Sequence, residues 1–93
     1  MGDRLTNYII SQMAIEKYGA LNYDILIEEM SELTKEIIKL KRGIGNRKHI
    51  IEETGDVEIM LERFKRMEHI TEDELSVSKN EKYTRLQRRI ENE

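Results

Sequence analysis

No proline interrupts this 93-residue chain, and its five glycines fall at few places. These facts constrain the fold more than any motif does. Proline and glycine end helices most sharply, and between the glycines stand strong helix formers. The pattern predicts an all-α fold, a helical bundle of about four helices in one domain, 1–93. A first helix is expected over roughly Thr6 to Tyr18, stopping at Gly19. A second is expected from Tyr23 to Arg42, with Asn22 as its N-cap. Gly43-Ile44-Gly45 breaks it, and Asn46 caps a third helix over Arg47 to Met67. The short break makes helices two and three antiparallel neighbours. Thr71-Glu72-Asp73-Glu74 has the capping-box spacing, so a fourth helix starts there and runs near the end. The polar stretch Glu74 to Asn80, with Val77 its lone apolar residue, is a candidate loose turn ahead of the last helix proper.

Size and charge bound the partners. A chain this short buries a modest share of its surface, so completion of the bundle by oligomerisation, as a dimer or a tetramer, is expected. Cysteine is absent, which excludes a disulfide framework and a thiolate metal site. The apolar runs are too short to span a bilayer, and Met1-Gly2-Asp3-Arg4 leads into no signal-peptide core. The expectation is a soluble, cytoplasmic protein with no membrane partner. Sixteen basic and nineteen acidic residues leave a net charge of -3, which argues against broad nucleic-acid binding.

Side chains can be placed on these helices at about 100° per residue. On helix two, Leu26, Met30, Leu33, Ile37 and Leu40 form an apolar stripe, with Glu29, Glu32 and Glu36 in a line beside it. On helix three, Ile50, Val57, Met60, Leu61 and Phe64 form the core stripe. Glu53 lies within that stripe and Asp56 at its edge. A carboxylate on a core-facing stripe costs several kcal/mol unless a cation or strong donors meet it. Helix two offers further carboxylates along its inner edge, so bringing the faces together piles up like charge. A bound divalent metal relieves this most simply. Oxygen-only ligands favour Mg²⁺, with Mn²⁺ the alternative, over Zn²⁺.

Glu28-Glu29-Met30-Ser31-Glu32 followed by Glu53-Thr54-Gly55-Asp56 resembles the EExxE…ExxD signature of the MazG-like, all-α nucleotide pyrophosphohydrolases. Flanking residues Ile27, Leu33, Glu52 and Val57 fit as well, and the resemblance covers most of the chain, from about Tyr18 onward. It implies hydrolysis of a nucleoside triphosphate, (d)NTP, to the monophosphate and pyrophosphate. It implies Glu29, Glu32, Glu53 and Asp56 as Mg²⁺ ligands, with Glu28 in a supporting role. It also implies that a second copy helps line the nucleotide site. Lys82, Arg85 and Arg89 share a face of the last helix and resemble the family's phosphate-contacting basic segment, and Asn80 matches a position just before it. Arg suits phosphate because its planar fork donates two parallel hydrogen bonds.

Each assignment has a plainer competitor. The glutamates of helix two could be a solvated edge, and Lys82, Arg85 and Arg89 could pair with acidic helices. Lys35, Lys39 and Lys41 read as a solvated face, and His49 and His69 have no ligand-like spacing. Tyr8, Tyr18 and Tyr23 read as packing residues, and the methionines as gap-fillers. With no Trp and one Phe, an aromatic base pocket is reduced. Three other functions stay open: a non-catalytic helical interaction protein, a phosphoribosyl-nucleotide pyrophosphohydrolase of the same superfamily, and, weakest, a helical DNA-binding regulator.

Overall fold

The computed structural model describes residues 3–93. They form four helices, α1 (Arg4–Tyr18), α2 (Leu21–Lys41), α3 (Arg47–Met67) and α4 (Glu72–Glu91), with no strand among the described residues. The all-α expectation holds. Local capping explains most boundaries. Asp3 accepts a hydrogen bond from the Thr6 amide at 2.8 Å, so α1 starts earlier than expected. The same bond holds the Asp3 carboxyl below its usual pKa. Gly19, at φ 52, closes α1 in the left-handed region. Asn46 accepts from the His49 amide at 3.2 Å and starts α3. At α4 both bonds of the capping box form, Glu74 N–H to Thr71 Oγ1 at 3.1 Å and Thr71 N–H to Glu74 at 2.9 Å.

Two boundary expectations need correction. Asn22 is not an N-cap: α2 starts at Leu21, after Ala20, without a side-chain cap. Asn22 is buried in the first turn, where its amide donates to the carbonyls of Gly19 (2.9 Å) and Ala14 (3.3 Å). It ties the end of α1 to the start of α2. The stretch Glu74 to Asn80 is not a loose turn, because α4 runs through it without a break. Three acidic residues in its first turn and the capping box favour helix there.

Helices α2 and α3 are antiparallel and form the main packing unit. Tyr23, near the start of α2, meets Phe64 edge-to-face at 6.0 Å and donates a hydrogen bond to Glu68. Near the other end, Glu36 lies beside His49. The seam on α3 follows the expected stripe: Val57 and Met60 are buried and Ile50 and Phe64 half-buried, although Leu61 is exposed. On α2 the stripe is displaced. Asn22, Leu26 and Glu36 are buried there, with Glu29 and Leu33 half-buried, while Met30, Ile37 and Leu40 are exposed. The seam thus runs through Asn22, Leu26, Glu29, Leu33 and Glu36, and two glutamates occupy positions that an amphipathic helix gives to apolar residues.

Helix α1 is held against this pair by Arg66, which donates to the Tyr8 carbonyl at 3.0 Å and to Gln12 at 3.4 Å. Its guanidinium lies over the Tyr8 ring at 3.8 Å and pairs with Glu62 at 2.6 Å. Among the described residues α4 packs against none of the other helices, and the Lys65–Glu72 ion pair (3.3 Å) lies at its root. The result is an open shape. The radius of gyration is 16.5 Å, against about 12 Å for a compact domain of this length. The accessible surface is 7890 Å², roughly 2,200 Å² more than a compact monomer of this mass exposes. Much of the excess is apolar, including Met13, Ile37 and Ile38 in the packed part and Val77, Tyr83 and Ile90 on α4. No described helix is long and apolar enough to cross a membrane.

Candidate metal centre

The glutamates of the α2 seam face the carboxylates of α3 midway along the helix pair. Glu29, Glu53 and Asp56 each present an oxygen, and the three oxygens lie within 4.8 Å of one another. Glu29 and Glu53 are half-buried and Asp56 is exposed. The local sequence explains the convergence. Glu53 and Asp56 are three residues apart on α3 and so share a face, and Glu29 lies on the seam one turn beyond Leu26.

The electrostatics follow from this crowding. Partial burial raises the Glu29 pKa, and the neighbouring charges of Asp56, Glu53 and Glu28 raise it further. Partial burial likewise raises that of Glu53, followed by Asp56, Glu32, Glu36 and Glu52. Glu53 Oε2 is buried with no hydrogen-bond partner among the described residues. An orphaned carboxylate oxygen inside a group of like charges is costly, and a cation or a strong donor would relieve that cost. Three carboxylates from two helices fit a hard, oxygen-seeking divalent ion, which takes few carboxylates and leaves positions for water or phosphate.

The other expected residues are placed as follows. Glu32 lies beside the cluster: it is half-buried, bears on Glu53 electrostatically and pairs with Lys35 at 3.2 Å. Glu28 is exposed and acts on Glu29 through its charge. Asn80, Lys82, Arg85 and Arg89 are all exposed on α4, which packs against neither α2 nor α3. Within one chain the structure does not bring them to the acidic cluster.

Two neighbours adjoin the cluster: Glu36, the last of the carboxylate line on α2, and Arg63, which the acidic motifs do not mark. Glu36 is buried on the seam, with Oε2 unpartnered, Lys39 at 3.6 Å and His49 Nδ1 at 4.0 Å. Arg63 lines a cleft of about 210 Å³ together with Glu29, Asp56, Ile59 and Met60. A signal for Arg63 exists in the sequence, because seven residues make nearly two helical turns and bring it to the face of Asp56. Comparison of the chain with protein-family models, curated proteins and solved structures finds no match.

Proposed function

We propose that this protein is a divalent-metal-dependent nucleotide pyrophosphohydrolase that converts a nucleoside triphosphate, (d)NTP, to the monophosphate and pyrophosphate. One observation carries the reading: three carboxylates drawn from the two acidic motifs, Glu29, Glu53 and Asp56, bring their oxygens within 4.8 Å of one another, with an orphaned oxygen on Glu53. Their resemblance to the EExxE…ExxD signature supplies the reaction.

In this reading Glu29, Glu53 and Asp56 hold Mg²⁺, with Glu32 as a further ligand and Glu28 supporting Glu29. The ion would polarise phosphoryl oxygens and lower the pKa of an attacking water. The chain's own contribution is positioning and charge. Fixed carboxylates on two packed helices hold the reacting groups in register, and cationic side chains neutralise the phosphates. A water oxygen bonds to the α-phosphorus, the bond from that phosphorus to the bridging oxygen breaks, and pyrophosphate leaves. The water's proton passes to a carboxylate or to solvent.

Asn80, Lys82, Arg85 and Arg89 are the proposed substrate contacts on α4. Because α4 packs on no other helix among the described residues, they would serve a cluster in another copy, within a dimer or tetramer. The surplus surface of roughly 2,200 Å² per chain is in the range that obligate interfaces cover. The test is pyrophosphate release from the NTPs and dNTPs with Mg²⁺ and with EDTA, for wild type and Asp56→Ala. Mg²⁺-dependent release that Asp56→Ala abolishes supports the reading. No release from any nucleotide, with no effect of Mg²⁺ on melting, returns the chain to the class of interaction proteins.

A further inference from the structure

Arg63 stands out because it is a half-buried cation beside an acidic cluster and yet forms no ion pair among the described residues. Its Nε is buried and has no acceptor. Its Nη1 donates at 3.3 Å to the Met60 sulfur, a weak acceptor. An unmet donor on a charged group is costly to bury, so the position asks for an acceptor that the described residues do not supply.

The surroundings indicate what that acceptor is. Arg63 lines the same cleft as Glu29 and Asp56 and is the one cation among its lining residues. Asp56 and Arg63 share a helix face about 10.5 Å apart along the axis. The cleft, at about 210 Å³, is smaller than the roughly 300 Å³ at which pockets for whole small molecules begin. It suits a chain of phosphates better than a nucleobase. Charge decides the matter. Glu29, Glu53 and Asp56 carry three negative charges when ionised, so a single divalent ion leaves the cluster net negative. An approaching polyphosphate is repelled by that remainder unless another cation meets it. A guanidinium at the far end of the cleft does so, with geometry matched to a phosphate's oxygens.

We infer that Arg63 is a polyphosphate-binding residue, contacting a phosphate of the substrate whose neighbouring phosphate lies at the Glu29–Glu53–Asp56 cluster. The inference rests on the pyrophosphohydrolase reading for its substrate class. Its probe does not require turnover: inorganic tripolyphosphate in the presence of Mg²⁺, with binding followed by calorimetry.

Arg63→Met keeps bulk and removes the charge. It is expected to weaken tripolyphosphate binding on the order of tenfold or more, while Mg²⁺ binding without phosphate is unchanged. Arg63→Lys, a point charge without the fork, is expected to fall between wild type and Arg63→Met. A merely structural role would shift Mg²⁺ binding along with phosphate binding. Circular dichroism identifies a variant that fails to fold, in which case Arg63→Lys and Arg63→Gln carry the comparison. Equal tripolyphosphate binding by wild type and a folded neutral variant overturns the inference and leaves the pyrophosphohydrolase reading standing. Failure of wild type to bind tripolyphosphate with Mg²⁺ also overturns it. Absence of pyrophosphate release, with tripolyphosphate binding that depends on Arg63, overturns the reaction and keeps the site.

Discussion

Replacing Asn22 by Asp exchanges one amide for one carboxyl of nearly the same shape, and the structure makes its effect large. Asn22 is 2% exposed, and its amide nitrogen donates to Gly19 and Ala14 carbonyls. A carboxylate there donates to neither. Each lost bond is worth about 0.5–1.5 kcal/mol, and an ionised group left buried against two carbonyl oxygens adds the larger cost. Together about 3–5 kcal/mol is expected, a large share of the stability of a domain this size. Asn22→Ala loses the same bonds without burying a charge and also removes the unpartnered Asn22 Oδ1. About 2 kcal/mol, or roughly 10 °C in Tm, is expected for it. The two variants also differ in pH dependence. Burial raises the introduced carboxyl above its unfolded pKa, so the folded state binds the extra proton first. The stability lost in Asn22→Asp is regained as pH falls through the raised value toward about 4, whereas the loss in Asn22→Ala is independent of pH. Urea unfolding at pH 7 and pH 5 reads both effects. An Asn22→Asp variant as stable as wild type at pH 7, or one whose deficit does not shrink on acidification, refutes this account of the α1–α2 corner.

Further predictions test other parts of the structure. Glu29 and Glu53 have raised pKa values in the fold, so without metal their repulsion is fully present above those values and is relieved as pH falls toward 4.5. Unfolding in EDTA should show stability rising as pH drops from 7 toward 5, and Mg²⁺ or Glu53→Gln should flatten that slope; a flat slope for wild type in EDTA contradicts it. Asp3, whose pKa is lowered, works in the opposite sense, but only below pH 3.8, outside that window. Thr71→Ala removes the capping box of α4 and should cost about 1 kcal/mol of local helix stability, seen as faster amide exchange at Glu72 to Leu75; unchanged exchange there would count against it. Met60→Ala, at a residue 4% exposed, should cost about 2 kcal/mol, the low end for such truncations because the seam is narrow and open on one side. Amides of α4 should exchange faster than those of α2 and α3 in dilute protein and gain protection as concentration rises; no change with concentration would argue against α4 joining an interface.

What the sequence disclosed and what it hid divide along physical lines. The caps at Asn46 and Thr71 were legible because capping involves a few consecutive residues. Asn22 carried the same N-cap signal, yet tertiary burial turned its side chain back to α1. The α2 stripe was misplaced because Leu26 and Leu33 fit two registers. The apolar one continues through Met30 and Ile37, while the seam continues through Glu29 and Glu36, one residue and about 100° away. Helical periodicity sorts residues by polarity, and here carboxylates hold inward positions. Such local violations are expected where a site has been built into a core. Of the ligands that the resemblance implies, Glu29, Glu32, Glu53 and Asp56, the structure brings together Glu29, Glu53 and Asp56 and leaves Glu32 beside them, paired with Lys35. The basic residues of α4 were readable as a face, but among the described residues that face meets no other helix.

The central claim is attack at the α-phosphorus under control of the acidic cluster. Hydrolysis of a dNTP in heavy-oxygen water, followed by mass spectrometry of both products, tests it most directly. The account predicts heavy oxygen in the monophosphate and none in the pyrophosphate, with both products absent in EDTA or with Asp56→Ala. Label in inorganic phosphate alongside a nucleoside diphosphate, or turnover that survives EDTA, would contradict it.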